Sequence, residues 1–330
     1  MKLLFAPLDG ITGFTYRNLH HALFDGVNAY YAPFISPTVN EEMRGKEIRD
    51  ILPENNKGIN LVPQILANRS DFFIRGAEQL IDMGYTDEIN INIGCPSGTV
   101  TSKNKGSGFL RDLDGMNRFL DEVYTWNDNL ENPLALTVKT RIGYETAYEF
   151  QDILDVYNKY PIPLLIVHPR TKKQMYKERA NLDAFQYAYD NSKNALCYNG
   201  DINTLEDYEY IKKRFSKIEY AMIGRGMITN PNLANEINGE EKLTLDQIKK
   251  YHDTFYDEFE KIFESDKHLL FKMKEFWNYV SKNFVKENEI CKMIRKCQSL
   301  DKYKAYAQII VESYDLKEYN KQGLNVVNND

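Results

Sequence analysis

Short apolar runs alternate with amphipathic segments along the first two thirds of the chain. The apolar runs predict eight β-strands, at residues 3–7, 28–34, 59–66, 88–94, 134–140, 164–170, 195–201 and 220–226. Between them, apolar residues at three- and four-residue spacing predict helices, for example at residues 71–83, 115–129, 146–160 and 204–215. Because parallel strands need such crossovers, the alternation predicts a (β/α)8 TIM barrel. An open doubly wound sheet is the alternative.

The alternation stops after Pro231, and from about Leu243 the sequence has only helical periodicity. This change predicts a barrel domain at residues 1–242 and a small C-terminal helical bundle at residues 243–330. Between Lys267 and Lys304 there are ten Lys or Arg and four Asp or Glu, a local charge of +6 in a chain of net charge −6. Such segregation is a weak sign of a polyanionic partner, and a solvated helical surface is the alternative.

Composition places the chain among water-soluble globular proteins. It is 42% apolar and 27% charged, and no apolar run approaches the roughly 18 residues of a membrane span. The apolar start ends at Pro7, too early for a signal peptide, so we expect a cytoplasmic protein. The four cysteines, Cys95, Cys197, Cys291 and Cys297, lack metal-site spacing. We therefore expect reduced thiols and no metal.

Residues suited to binding and catalysis occur where the predicted strands end. In a TIM barrel the carboxyl ends of all strands meet at one face, where the active site lies. The presence of such residues at nearly every strand end therefore predicts an active site rather than a purely structural barrel. In chain order they are Pro7-Leu8-Asp9, Gln64, Asn92 with Cys95, Lys139 with Arg141, His168 with Arg170, Asn199-Gly200-Asp201 and Gly224-Arg225.

Cys95 ends the strand at residues 88–94 and is followed by a segment rich in Gly, Ser, Lys and Asn. That composition predicts a flexible cationic loop, with Lys103 and Lys105 facing an anionic ligand. A thiol with an ordinary pKa of about 8.5 is mostly protonated at neutral pH, and it can act as a general acid or as a nucleophile. A small buried apolar cysteine is the alternative.

The loops after the seventh and eighth strands predict a phosphate site. Glycines there let backbone amides approach phosphate oxygens, and Arg225 adds a charged fork; glycines that merely end strands are the alternative. Lys139 at a narrow barrel mouth must meet an anion, such as a flavin edge, or lose its proton, unless it reaches solvent past the rim. The alternative for His168 is a histidine whose hydrogen bonds are purely structural. Gln64 and Asn92 can both donate and accept hydrogen bonds to a ring edge or to ribityl hydroxyls.

In these motifs the chain resembles the tRNA-dihydrouridine synthase family, flavoenzymes that reduce uridines in tRNA. The resemblance covers residues 3 to about 230 and follows the family's order. The matching strings are A-P-L-D-G-I-T from Ala6, V-P-Q-I-L around Gln64, N-I-G-C-P-S from Asn92, V-K-T-R-I-G from Val138, H-P-R-T from His168, N-G-D-I from Asn199 and G-R-G from Gly224.

The resemblance implies FMN in the barrel mouth. Pro7, Leu8 and Asp9 would lie beneath the isoalloxazine, with Gln64, Lys139 and His168 around it. The ribityl chain and phosphate would be held by Asn199, Gly200, Asp201, Gly224 and Arg225. NADPH, or NADH, would reduce the flavin, whose N5 would pass hydride to C6 of uracil while Cys95 protonates C5.

The resemblance also implies tRNA as the partner, with a uridine that leaves its stack to reach the flavin. Arg141 and Arg170 would contact the flipped nucleotide or its phosphates, and Lys103 and Lys105 would face RNA phosphates. We expect a monomer. Three positions depart from the family pattern: Pro169 replaces the usual glycine, and Ser107 and Phe109 interrupt a small Gly/Ala run in the predicted lid.

Two other functions stay open from sequence. One is a flavin barrel acting on a free small molecule, such as dihydroorotate or an enone. The other is a tRNA-binding protein without catalysis. The +6 stretch disfavours the first, and the presence of Cys95, Lys139 and His168 disfavours the second.

Overall fold

The computed structural model of the protein describes residues 1–38, 43 and 45–317. These residues form two compact units. The first comprises residues 1–21, 26–202 and 211–224, and the second comprises residues 22–25, 203–210 and 225 onward. The predicted boundary at Lys242 stays a prediction, whereas the second compact unit takes in the chain from Arg225.

The first unit is built on a parallel sheet of nine strands. Neighbours in the sheet pair in the order β3-β2-β1-β9-β8-β7-β6-β5-β4. The strands are β1 (Lys2–Phe5), β2 (Ala29–Tyr31), β3 (Leu61–Val62), β4 (Gln64–Ile65), β5 (Glu88–Ile93), β6 (Ala135–Arg141), β7 (Leu165–His168), β8 (Leu196–Tyr198) and β9 (Tyr220–Ile223).

The two end strands of this order, β3 and β4, are halves of one strand. Only Pro63 separates them, and proline has no N–H to donate to a ladder, so the pairing is interrupted there. The carbonyl of Pro63 still accepts a hydrogen bond from Asn90 N–H at 3.0 Å. The sheet therefore closes through Pro63 into a barrel of eight strands, with β3 and β4 counted as one. This confirms the predicted TIM barrel and excludes the open sheet.

Helices connect the strands along this part of the chain. Helix α5 illustrates how they begin, because the Asp112 carboxylate accepts the Gly115 N–H as an N-cap. The helices along this part of the chain are α1 (Phe14–Leu23), α2 (Lys46–Ile51), α3 (Ser70–Asp82), α4 (Gly98–Thr101), α5 (Leu113–Asp128), α6 (Phe150–Tyr157), α7 (Leu182–Asn191) and α8 (Leu205–Arg214). Short 3-10 turns occur at Pro53–Asn55, Gly106–Arg111 and Ala147–Glu149.

The barrel interior has an apolar and a polar side. The apolar side is a cluster that includes Leu4, Ala6, Tyr31, Ile166 and Met222. The polar side is formed by β4, β5 and β6, in which every second residue points into the barrel. On β5, for example, Ile89, Ile91 and Ile93 are fully buried, while Asn90 and Asn92 between them bond to inward-facing polar groups of β4 and β6.

The second unit contains the C-terminal helices that the sequence predicted. They are α9 (Arg225–Thr229), α10 (Leu233–Ile237), α11 (Leu245–Glu260), α12 (Asp266–Val280), α13 (Glu287–Arg295) and α14 (Leu300–Ser313), with a 3-10 turn at Ser281–Asn283. Helix α11 begins with a Thr244–Gln247 capping box. Trp277 and Tyr303 are fully buried, and the indole N–H of Trp277 donates to the Tyr303 hydroxyl at 3.0 Å. Across the ranges the structure describes, no helix is long and apolar enough to cross a membrane.

Candidate active site

Cys95 follows β5, and its backbone is held on both sides. Its N–H donates to Oδ1 of Asn92 at 2.9 Å. Its carbonyl oxygen accepts from the backbone N–H of Ser107 at 3.0 Å and from the Ser107 hydroxyl at 2.9 Å. Ser107, one of the departures from the family pattern, therefore fixes the residue that carries the thiol.

The segment after Cys95 is folded, in contrast to the predicted flexible loop. It forms α4 and the 3-10 turn Gly106–Arg111, in which Ser107, Phe109 and Leu110 are buried. Phe109 packs edge-on against Phe119 of α5, with ring centroids 5.5 Å apart. The glycines suggested flexibility, but burial of Phe109 and Leu110 ties the segment to the core.

Gly106 shows why glycine is needed beside Cys95. Its φ is +56°, in the left-handed region that favours glycine. A Cβ added there would lie 2.7 Å from the Cys95 carbonyl oxygen and 3.0 Å from its Cβ. The two backbones approach as closely as they do because residue 106 has no side chain.

The Cys95 thiol is half-buried, and its pKa lies above the ordinary value. Burial is the main cause, and the Asp9 carboxylate raises the pKa further. A hydrogen bond from Ser97 and the charges of Lys139 and Arg141 act in the opposite direction. The thiol is therefore protonated at neutral pH, which suits a general acid better than a nucleophile.

Lys139 lies beside Asn92 in the β5–β6 pairing, inside the barrel mouth. Burial lowers its pKa to about 8, and the neighbouring Arg141 charge adds to this effect. Among the residues that the structure describes, its ammonium has no hydrogen-bond partner. The accessible surface of the side chain is intermediate, so an acceptor in the mouth can reach this cation.

Arg141 is buried and holds two segments through three backbone carbonyls. Its Nε donates to Gly94 at 3.1 Å, and its Nη1 donates to Thr171 and Met175, each at 2.8 Å. Its Nη2 is buried and makes no close hydrogen bond in the described part of the chain, although the nearby Tyr176 side chain interacts with the guanidinium. The predicted contact with substrate can therefore involve Nη2, while the other donors hold the loops.

His168, Arg170 and Asp201 form a connected group at the ends of β7 and β8. Nη1 of Arg170 lies 3.0 Å from Nε2 of His168, and its Nη2 pairs with the Asp201 carboxylate. The same guanidinium donates to the Glu178 carbonyl. Arg170 is thus used within the protein, and Asp201 also accepts the Ala180 N–H at 3.1 Å.

The two predicted lid lysines have different surroundings. Lys103 is exposed. Lys105 donates to the Ser36 hydroxyl at 3.0 Å, and burial lowers its pKa. Lys103 is therefore better placed to meet a phosphate than Lys105.

The loop after β1 presents Pro7 and Leu8 half-buried and Asp9 exposed. The Thr12 hydroxyl closes this turn by accepting from Leu8 N–H at 2.8 Å. Buried Arg17 donates to the Thr12 carbonyl at 2.8 Å and to Asp50 at 2.9 Å. Sequence reasoning missed Arg17, which holds the turn that carries the predicted flavin platform.

The glycine loops predicted to bind phosphate divide between the two units. In the first unit, Asn199 donates to the Met222 carbonyl at 2.9 Å. A Cβ on Gly200 would collide with the Tyr198 hydroxyl at 2.1 Å, and one on Gly224 would lie 3.2 Å from Ala6. Close packing thus explains both glycines by itself. Arg225 begins α9 in the second unit. The phosphate site stays a prediction.

Sequence reasoning also missed polar groups inside the barrel and one aromatic ring at its mouth. Glu88 accepts hydrogen bonds from Tyr31 and Thr137, each at 2.7 Å. Period-two polar positions on β5 were the available signal. Tyr176 is 49% exposed, with its ring 5.1 Å from the Arg141 guanidinium and 5.9 Å from the His168 ring. No strand-end rule pointed to it.

A closed parallel barrel that gathers a protonated thiol, a lysine without a partner and a buried arginine at strand ends defines a TIM-barrel enzyme. Residues 4–314 match the family model described as dihydrouridine synthase. The chain belongs to the dihydrouridine synthase family, which confirms the family predicted from its motifs.

Named relatives agree over most of the chain. The tRNA-dihydrouridine(16) synthase of Neisseria meningitidis serogroup B is 25% identical over 311 residues, which cover 91% of this chain and 92% of the relative. The tRNA-dihydrouridine synthase B of Vibrio vulnificus is 28% identical over 244 residues, covering 72% and 71%. Histamine dehydrogenase of Rhizobium sp. 4-9 shares the fold, with a TM-score of 0.54 and 12% identity over 76% of this chain and 46% of that one.

Proposed function

We propose that this protein reduces particular uridines in tRNA to 5,6-dihydrouridine, with bound FMN and with NADPH as reductant. One observation supports the proposal above others: in a chain of this family, a thiol kept protonated by burial lies under the electrostatic influence of Lys139 and Arg141 at the end of adjacent strands. NADH is the alternative reductant.

The donor set of the mouth fits a flavin and a uracil. Within residues 1–38, 43 and 45–317, Nζ of Lys139 has no hydrogen-bond partner, and Nη2 of Arg141 makes no close hydrogen bond, with only the Tyr176 side chain near the guanidinium. Acceptor-rich ring edges, such as the pyrimidine edge of a flavin or the carbonyls of uracil, would satisfy both donors. Lys139 would bind the N1/C2 edge of the flavin, with Gln64 and His168 beside the ring and Asn92 nearby.

The remaining cofactor contacts follow from the strand ends. Pro7, Leu8 and Asp9 would form the platform beneath the ring. The ribityl chain and phosphate would be bound by Asn199, Gly200, Asp201, Gly224 and Arg225. Because Asp201 is occupied by Arg170 and Ala180, we infer that it orders this loop more than it contacts ligand.

Cys95 would supply the proton of the reaction. When bound and reduced by NADPH, FMN supplies the hydride that adds to C6 of uracil. The Cys95 thiol gives its proton to C5, and the resulting thiolate regains a proton from solvent. The balance is one uridine, one NADPH and one proton consumed for one dihydrouridine and one NADP⁺.

The substrate uridine would leave its stack to reach the thiol. Arg141 would contact the flipped nucleotide through Nη2, and Lys103 would contact phosphates, with Lys105 close by. For Arg170 the contacts favour a supporting role, because its donors are already engaged by His168, Asp201 and Glu178. The C-terminal domain predicted at residues 243–330 would bind the body of the tRNA, and the protein would act as a monomer in the cytoplasm.

Purified protein tests this function directly. It should carry flavin absorbance and, with NADPH, form dihydrouridine in tRNA made without modifications, but not in free uridine. Equal rates on tRNA and on free uridine or dihydroorotate would assign a small-molecule reductase instead. A colourless protein that binds tRNA without turnover would assign a binding protein.

A further inference from the structure

A chain of hydrogen bonds runs from the barrel interior to the backbone of Cys95. Thr137 donates to Glu88 at 2.7 Å, Asn90 to Thr137 at 2.8 Å, Gln64 to Asn90 at 2.7 Å, and Asn92 to Gln64 at 2.7 Å. Cys95 N–H then donates to Asn92 at 2.9 Å. We call the side chains of these five residues, Glu88, Thr137, Asn90, Gln64 and Asn92, the polar ladder.

Both ends determine the direction of the polar ladder. A backbone N–H can only donate, so Oδ1 of Asn92 must face Cys95 and Gly94, and its Nδ2 must face Gln64. Asn92 therefore donates to Oε1 of Gln64, Gln64 donates to Oδ1 of Asn90, and Asn90 donates to the Thr137 hydroxyl. The Thr137 hydroxyl in turn donates to Glu88. Glu88 also accepts from the Tyr31 hydroxyl at 2.7 Å, so the ladder ends on a carboxyl group that accepts from both neighbours.

Burial makes this direction hard to reverse. Asn90 is 0% exposed, Gln64 1% and Thr137 2%. If one amide turned over, donors would face donors and acceptors would face acceptors where no water competes. Burial raises the pKa of Glu88, while the hydrogen bonds from Thr137 and Tyr31 act in the opposite direction and favour the carboxylate.

We propose that Glu88, Asn90 and Thr137 are positioning residues for Cys95. They fix the orientation of the Asn92 amide, and through it the backbone position from which the thiol reaches substrate. Because Oδ1 of Asn92 already accepts from Gly94 and Cys95, Asn92 has an N–H group rather than its carbonyl oxygen left to offer the mouth. The catalytic part of this inference rests on the proposed function of Cys95.

Thr137 offers a matched pair of variants. Thr137→Val keeps the shape and removes the hydroxyl, whereas Thr137→Ser keeps the hydroxyl. In flavin-loaded full-length protein, Thr137→Val should slow oxidation of the reduced flavin by tRNA about tenfold, as small displacements of a catalytic group do. Thr137→Ser should stay near wild type. Flavin reduction by NADPH, which does not use Cys95, should slow much less in Thr137→Val than the tRNA-dependent step, and it should stay near wild type in Thr137→Ser.

Tyr31→Phe is the control for losing a buried hydrogen bond. It removes one bond to Glu88 but leaves the path from Glu88 to Cys95 intact. We expect it to keep the tRNA-dependent rate. If Thr137→Val does not fold, Thr137→Ala is measured in its place with the same expectation.

A second measurement does not depend on tRNA. The rate at which iodoacetamide alkylates Cys95, followed by peptide mass spectrometry across pH, should change in Thr137→Val and not in Thr137→Ser or Tyr31→Phe. If the wild-type protein does not reduce tRNA, the proposed function is contradicted. The alkylation comparison between the variants still tests the ladder. The ladder proposal is overturned if Thr137→Val matches Thr137→Ser in both measurements, or if it slows both flavin half-reactions equally.

Discussion

Nη1 of Arg170 lies 3.0 Å from Nε2 of His168. A guanidinium can only donate, so this contact requires Nε2 to accept, which places the ring hydrogen on Nδ1. Arg170 is held in turn by the Asp201 carboxylate. The residue predicted to bind nucleotide thus fixes the tautomer of the histidine predicted to bind the flavin.

Replacing Arg170 should release the histidine. In Arg170→Met, ¹⁵N NMR of the imidazole should show mixed tautomers at neutral pH where the wild type shows only the Nδ1–H form. Because hydrogen bonds to charged groups contribute about 1.5–3 kcal/mol, FMN affinity should fall about tenfold or more. An unchanged tautomer in Arg170→Met would show that contacts other than Arg170 determine the tautomer of His168.

The pKa of Lys139 predicts how FMN affinity depends on pH. Its pKa of about 8 in the folded protein means that the ammonium is charged below that pH and neutral above it. Affinity for FMN should therefore be constant near pH 7 and decline as pH rises through 8 and 9, measured by quenching of flavin fluorescence. Bound acceptors would raise the pKa and move this decline upward.

Lys139→Met tests that assignment. The variant keeps the length of the side chain without charge, so it should bind FMN about tenfold or more weakly near pH 7, in line with the loss of a charge-assisted hydrogen bond. Its affinity should show no decline between pH 7 and 9. A decline of the same size in the variant would assign the pH dependence to another group.

Gly106 and Gly98 form a natural comparison in the segment after Cys95. Gly106→Ala would place a Cβ 2.7 Å from the Cys95 carbonyl oxygen at a φ of +56°, whereas a Cβ on Gly98 meets nothing within 4 Å. Turnover on tRNA should fall at least about tenfold in Gly106→Ala, because Cys95 must shift. Gly98→Ala should retain activity. Equal activities would show that the close approach has no role.

The positive stretch predicts the salt dependence of tRNA binding. Lys274 donates to the Cys297 carbonyl at 2.6 Å and is used structurally, whereas Lys292 and Lys296 on and after α13 are exposed. Replacing both by Gln should weaken tRNA binding and reduce the slope of log affinity against log salt by about 1–2. Lys249→Gln with Lys250→Gln, the same charge loss on α11, should leave the slope unchanged.

Much of the barrel could be predicted from sequence because period and order are local signals. The apolar run at residues 59–66 predicts one strand. The structure agrees, except that the strand is interrupted at Pro63, which has no N–H to donate to a neighbouring strand. Cys95, Lys139 and His168 are predicted as site residues because strand ends meet at one face.

Other features depend on partners far apart in sequence. Nothing local indicates that Arg170 is held by Asp201, or that Arg141 binds the carbonyls of Gly94, Thr171 and Met175. The folded state of residues 106–111 was likewise hidden, because it depends on Phe109 packing against Phe119. Glycine content alone suggested a flexible lid.

Single-turnover reduction of tRNA by wild type and Cys95→Ala tests the central claim most directly. Both proteins are loaded with FMN, reduced by NADPH and mixed with tRNA that lacks dihydrouridine, and the product is measured by mass spectrometry. The wild type should form dihydrouridine, and Cys95→Ala should hold the same amount of reduced flavin but react about 10²–10⁴-fold more slowly, the usual range for a lost general acid. An equal rate in Cys95→Ala, or no dihydrouridine from flavin-loaded wild type, would contradict the account.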